Sequence, residues 1–270
     1  MPPITDTILR RVSVRTFEDR PLADEDRADL EAFIAGIETP FDVPVTFRLL
    51  DAEPHSLKSP VIVGAHSYVA AKVARVHGAD LACGYAFECF CLHAIERGLG
   101  SVMLAASLSR KTFEQAMEVA PNEVMPVASP VGYPAAKRSL RESMMRKAIK
   151  SDERLPWEQI FFSGAYGTPL RPSDAGIFSQ PLEMMRLAPS AANRQPWRVV
   201  VDGDMVHFYE ERTLKESALG DIQKVDMGIA LSHFDLVRQE AGITGGFVPS
   251  DPGLTTPSGV EYITSFNAAR

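Results

Sequence analysis

Between residues 22 and 37 the apolar side chains Leu30, Phe33, Ile34 and Ile37 recur at i, i+3, i+4 and i+7, the spacing of one helix face, and Gly36 stands near the end. Residues 43–50 (VPVTFRLL) and 60–65 (PVIVGA) are rich in β-branched side chains bounded by Pro and Asp, and predict strands. Residues 81–97 (LACGYAFECFCLHAIER) are apolar on nearly every side. A helix tolerates that only when protein surrounds it, so a central buried helix is expected, ending at Gly98. A strand over 101–107, an amphipathic helix over 110–119 and a strand over 124–134 follow, and the charged stretch 137–154 reads as a solvated helix and linker. The second half repeats the theme. A helix ends near Leu187, a strand covers 197–201, and a turn at Asp202 and Gly203 leads into MVHFY as a hairpin. Met227, Ala230, Leu231, Phe234 and Val237 then mark another core helix, which stops at Gly242. Helices and strands mixed in this order predict an α+β fold rather than a regular doubly wound sheet.

Sliding the chain against itself by 144 residues lays residues 84–100 over 228–244. Six of the seventeen positions agree: Gly84 with Gly228, Ala86 with Ala230, Phe90 with Phe234, Leu92 with Leu236, Glu96 with Glu240, and Gly98 with Gly242. An offset near half the 270-residue length implies an internal duplication, with two related lobes packing their buried helices about a pseudo-twofold axis as a homodimer does. The expected lobes are 1–160 and 161–270. The duplication fails informatively: RRVSVRTF has no basic counterpart about 150 residues on, and PSAANRQPW has none in the first half. Each lobe holds what the other lacks, so one composite site between them is expected.

With 45% hydrophobic and 23% charged residues the chain can bury a sizeable core. A net charge of −7 argues against a nucleic-acid footprint, which needs a basic face. No apolar run reaches membrane-span length and the opening residues lack the apolar core of a leader peptide, so no membrane partner and a cytoplasmic location are expected. The spacing of Cys83, Cys89 and Cys91 fits neither a CxxC pair nor a zinc ribbon, and reads as reduced core cysteines. The six histidines show no metal spacing and no acidic companion that singles one out.

Candidate chemistry concentrates in two stretches. In an extended RRVSVR, alternate residues Arg11, Ser13 and Arg15 face one side and offer two guanidinium forks and a hydroxyl to one ligand, as a phosphoester clamp would. An exposed basic strip is the alternative. Lys137, Arg138 and Arg141 could close on the same phosphate, or belong to a solvated helix. Ser190 and Asn193 in PSAANRQPW can bond a polar ligand edge, or can satisfy their own loop backbone. GxGxxG, GxSxG, HExxH and P-loop motifs are absent.

Taken together, RVSVRTF, PSAANRQPWR, GLGSVMLAA and VGYPAAKR resemble the motifs of the flavin-dependent nitroreductase family, in the form of its tandem, two-lobe subgroup. The resemblance implies a nitroreductase-like fold and one FMN site. Arg11 and Ser13 would hold the ribityl phosphate, assisted by Arg138 or Arg141, and Arg15 would lie at the pyrimidine end of the ring. Pro189, Ser190, Ala191 and Asn193 would approach from the other lobe. Ala105 and Ala106 stand where the family carries Gly-Gly, whose backbone N–H bonds flavin N5; Val12 replaces a second basic residue. The implied activity is ping-pong transfer of hydride from NADH or NADPH through the flavin to a nitroaromatic or quinone acceptor, in a monomeric pseudo-dimer or a higher homo-oligomer. Another flavin reaction such as reductive dehalogenation, or a flavin-binding or sensing protein with little turnover, are the alternatives.

Overall fold

The computed structural model describes residues 2–269. The first half runs α1 (Ile4–Arg10), α2 (Asp24–Ala35), β1 (Thr46–Asp51), α3 (Ala52–His55), β2 (Ser67–Ala74), α4 (Ala79–Glu96), β3 (Gly100–Ser101), α5 (Arg110–Ala116), β4 (Glu123–Val124) and β5 (Ala128–Gly132). It continues through α6 (Leu140–Ala148) and α7 (Trp157–Ile160) into β6 (Phe161–Ser163), α8 (Ser179–Arg186), β7 (Trp197–Asp202), β8 (Met205–Glu211), α9 (Ile222–Glu240), β9 (Gly245–Val248) and β10 (Val260–Ala268). The strands form two sheets. One has the order β1-β2-β5-β3, with β4 pairing on β2; the other is β6-β7-β8-β10-β9, in which only β6 pairs parallel to its neighbour.

β2 is the middle of the first sheet and is buried on both faces. Val69, Ala71 and Val73 enter the main core against α4, while Tyr68 and Ala70 join a second cluster with Phe113 and Met117 of the α5 region. This explains two differences from the sequence reading. Residues 60–65, expected as a strand, form a loop whose Val63 N–H donates to the Arg15 carbonyl, and the true strand lies just after it. A strand apolar on both faces and rich in alanine lacks the alternation that marks a half-buried strand. Over 101–107 regular strand ends at Ser101; the following residues line a cavity, and Leu104 stays tied to the sheet by a bridge to Ala128 of β5. β9 and β10 complete the second sheet and were not anticipated.

α4 and α9 cross at the centre, and one contiguous core takes side chains from both sheets and both helices. Their backbones approach so closely that a Cβ on Gly84 would collide with the Val225 carbonyl, and one on Gly228 with the Leu81 carbonyl. The two contacts are reciprocal: 84 and 228, and 81 and 225, each differ by 144. Only glycine permits this contact at either position. Among the described residues no helix is long and apolar enough to cross a membrane.

Candidate functional site

A cavity of about 740 Å³ opens beside this crossing, within the ordinary range for a ligand of cofactor size. Its first wall is the stretch after α1. There Val14 N–H donates to the Ser101 carbonyl (3.0 Å) and Phe17 N–H to the Val63 carbonyl (2.9 Å), which lays 11–17 out as an extended segment. Alternate side chains then face one way, and Arg11, Ser13 and Arg15 all line the cavity. Ala105 and Ala106 line it too, and no backbone carbonyl among the described residues accepts from their N–H groups. Pro189, Ser190, Ala191 and Asn193 form the facing wall with Val225, Asp226 and Ile229 of α9.

Arg138 and Arg141 do not reach this cavity. The Arg138 side chain is 53% exposed and pairs with Glu142 at 3.7 Å, and Arg141 is exposed. The reason lies in α6. Ser139 caps it by accepting from the Glu142 N–H at 3.2 Å, and Glu142, Arg146 and Ile149 at i, i+4 and i+7 make its inward face. Arg141 is one residue off that face and points to water. The cavity instead receives Arg146 and, from the following turn, Arg154. The stretch expected as a solvated helix and linker is mostly exposed, but one stripe of it turns inward, and the S-x-x-E spacing with an i, i+4, i+7 pattern is the signal for that stripe.

Four arginines, Arg11, Arg15, Arg146 and Arg154, thus line one cavity in a chain whose net charge is −7. Arg15 is buried, and its Nε and Nη1 have no hydrogen-bond partner. Burial pushes its pKa down; Glu142 pulls it back, and repulsion from Arg146 and Arg11 adds to the depression. Arg154 falls to about 10, again from burial first and then from Arg11 and Arg186. Buried donors left unpaired on Arg15, with the like charges of Arg146 and Arg11 close by, suit an anionic partner.

The facing loop is strained. Ala192, Asn193 and Gln195 all have φ near +50°, at 49°, 55° and 50°. Such a run costs on the order of 1 kcal/mol per residue and persists only where contacts over-determine it. Those contacts are present. Asn193 Nδ2 donates to the Lys150 and Glu153 carbonyls (2.8 and 3.0 Å), Gln195 N–H donates to Ser190 Oγ (2.8 Å), and Leu155 N–H donates to Gln195 Oε1 (2.8 Å). The Asn193 amide is therefore committed to the loop, while the Ser190 hydroxyl keeps its hydrogen to donate. Asp226, fully buried, accepts the Ala191 N–H with both oxygens at 2.9 and 3.0 Å. Burial raises its pKa well above the carboxylate range, the Ala191 N–H opposes this, and Glu210 and Asp221 add to it.

Several histidines do have acidic companions, contrary to expectation: His66 with Asp19 (2.7 Å), His93 with Asp29 (2.6 Å) and His233 with Glu88 (2.9 Å). The partners lie 47 to 145 residues away, beyond the reach of local sequence inspection. Cys83, Cys89 and Cys91 are free, with Cys83 and Cys91 buried, and the described residues contain no cluster suited to a metal ion.

This mixed helix and sheet fold, with an arginine-lined cavity at its central helix crossing, is that of the nitroreductases. Over residues 3–238 the chain matches the family described as "Putative TM nitroreductase", and it belongs to that family. Among solved structures it is similar to a nitroreductase from Thermotoga maritima MSB8, described likewise, at 21% identity, with 98% of this chain and 93% of that chain covered and a TM-score of 0.65. At that identity the likeness speaks to the fold alone. Partial matches include a nitroreductase in complex with FMN from Desulfovibrio desulfuricans (23% identity, 53% of this chain, 95% of that chain, TM-score 0.40). Another is an NADH dehydrogenase/NAD(P)H nitroreductase from Bacteroides thetaiotaomicron (22% identity, 50% and 89%, TM-score 0.41). No curated protein matches the chain.

Proposed function

We propose that the chain is an FMN-dependent NAD(P)H oxidoreductase that works by ping-pong turnover, with a nitroaromatic or quinone-type acceptor. The observation that carries this reading is the group of four arginines on the cavity wall, Arg11, Arg15, Arg146 and Arg154, among which the buried Arg15 keeps Nε and Nη1 without a hydrogen-bond partner. Arg11 and Ser13, joined by Arg146 or Arg154 in place of Arg138 and Arg141, would hold a phosphate, the commonest dianion that a guanidinium fork matches. Arg15 would favour negative charge at the ring's pyrimidine end, and Pro189, Ser190, Ala191 and Asn193 would close the opposite side. The free N–H groups of Ala105 and Ala106 suit a ring nitrogen. Bound FMN supplies hydride acceptance and donation, which the side chains alone cannot.

We further read the chain as a pseudo-dimer of lobes 1–160 and 161–270. The reciprocal Gly84 and Gly228 contacts and the confinement of each sheet to one half support this. The test is flavin content after loading with excess FMN and desalting, followed by NADH or NADPH and then an acceptor. About one FMN per chain, bleached by the nicotinamide and restored by a nitroaromatic or quinone, is expected. A loaded protein that never bleaches would make it a flavin-binding protein, and one that retains no FMN would remove the oxidoreductase reading.

A further inference from the structure

Glu88 sits on α4 at the cavity wall, its side chain fully buried, with Oε1 facing both the Arg11 Nε (3.7 Å) and the His233 Nε2 (2.9 Å). Its Oε2 is also buried and has no hydrogen-bond partner. On its far side His233 meets the Met184 carbonyl through Nδ1 at 2.9 Å. A carbonyl oxygen only accepts, so Nδ1 carries a hydrogen, and Nε2 and the Glu88 carboxyl share one proton between them. Whichever of them holds that proton, the pair has no net charge.

This neutrality matters for Arg11. A lone carboxylate behind a buried guanidinium would orient it but also cancel the charge it offers to an anion. A carboxyl that shares a proton with a histidine behind it leaves the orientation and removes the cancellation. The same arrangement does not occur on the opposite side of the helix crossing. Shifted by 144 residues, Glu88 and His233 fall on Ser232 and Cys89, and the Ser232 hydroxyl is spent on the Ile229 carbonyl of its own helix at 2.8 Å. There, too, the cavity is replaced by packing. Ile229 and Met103 line the cavity, whereas their counterparts Tyr85 and Phe247 pack on Phe41 with ring centroids 5.9 and 5.8 Å away. A pair that merely cemented the two helices would serve equally on either side. This one stands only where there is a cavity.

We infer that Glu88 and His233 form a positioning couple for a phosphate group. Glu88 aims Arg11 into the cavity, and His233 offsets the negative charge that Glu88 would otherwise set against the anion. The inference rests on the reading of the cavity as an FMN site, and riboflavin, which lacks the phosphate, separates the two.

Dissociation constants for FMN and for riboflavin would be measured by flavin-fluorescence titration of the wild-type protein, Glu88→Gln, His233→Gln and the control Ser232→Ala. Both cavity-side variants should lower the preference for FMN over riboflavin about tenfold, with riboflavin affinity held within about twofold, because only the phosphate contact is disturbed. His233→Gln should lose at least as much as Glu88→Gln, since it leaves a buried carboxylate uncompensated, and Ser232→Ala should keep the wild-type preference. Either cavity-side variant that still melts cooperatively is sufficient for the test. An unchanged preference in a folded variant, or an equal fall for both flavins, overturns the couple while leaving the FMN site in place. A wild-type protein that binds neither flavin overturns the site itself, and the couple with it.

Discussion

Replacing Arg15 by methionine should make the flavin-free protein more stable and its FMN binding weaker. Methionine keeps the unbranched stem and its packing while removing the guanidinium. In the native state two nitrogens of that guanidinium, Nε and Nη1, are buried without partners, and Arg11 and Arg146 repel it. A buried donor left unsatisfied costs about 1–3 kcal/mol, and attraction to Glu142 recovers part of the total for two such donors. A net gain of about 1–3 kcal/mol in the variant follows. At roughly 2–4 °C per kcal/mol for a chain of this size, the flavin-free protein should melt roughly 2–12 °C higher. The same guanidinium supplies charge-assisted bonds to the ligand, so FMN affinity should fall by about 1.5–3 kcal/mol, on the order of 10- to 100-fold. Melting of the flavin-free protein in low salt and titration with FMN measure the two effects on one sample. A variant that melts below wild type while binding FMN equally well would refute the reasoning, because Arg15 would then be a structural residue already satisfied in the native state.

Asn193→Ala should cost about 2–3 kcal/mol in urea denaturation, because it strips donors from the Lys150 and Glu153 carbonyls and puts alanine at φ 55°. Asn193→Gly should recover only the backbone part, and a full recovery would show that the amide bonds carry nothing. Asp226 has a folded-state pKa raised above its unfolded value. Its contribution is therefore fully present below the unfolded pKa and is lost as pH rises through the folded one. Asp226→Asn should accordingly flatten the decline of stability with pH that sets in above the unfolded carboxyl pKa, in denaturant titrations at stepped pH, and an identical slope in both proteins would count against a raised pKa. Gly84→Ala and Gly228→Ala should each destabilise by about 2 kcal/mol or more despite the roughly 1 kcal/mol that alanine brings to a helix. Equal or higher melting temperatures would mean that α4 and α9 can separate at no cost.

The elements legible in the sequence were those whose pattern is local. The helices α2, α4, α5, α8 and α9 and the hairpin of β7 and β8 announce themselves through apolar spacing, glycine stops and the Asp202-Gly203 turn. β2 escaped because a strand covered on both faces has no alternation to read, and the cavity-lining residues 102–107 were mistaken for strand because their apolar side chains serve a ligand pocket rather than a sheet. The same division holds in the site. Arg11, Ser13 and Arg15 alternate, so an extended backbone aims them together, and the structure brings them into one cavity. Charge density points to Arg138 and Arg141, and it carries neither the helix phase that turns Arg146 inward nor the following turn that brings in Arg154. Glu88 and His233 are 145 residues apart, and nothing short of the tertiary fold joins them.

The cationic cavity is best understood against the rest of the chain. An acidic protein could leave its arginines paired on the surface, as Arg97 is with Asp26 and Arg48 with Glu118. Such exposed pairs are close to neutral for stability, so nothing drives or opposes them strongly. Setting four guanidinium groups along one cavity is different, because Arg15 and Arg154 lose water there and the charges of Arg11 and Arg146 raise the energy of both. That arrangement destabilises the empty protein, and the strained turn at Ala192 to Gln195 on the facing wall adds to it. An anionic ligand that bridges the walls relieves the first of these penalties directly. Flavin affinity and native-state stability should therefore be coupled in this chain, with saturating FMN raising the melting temperature of the wild type by more than that of any variant lacking one of the four arginines.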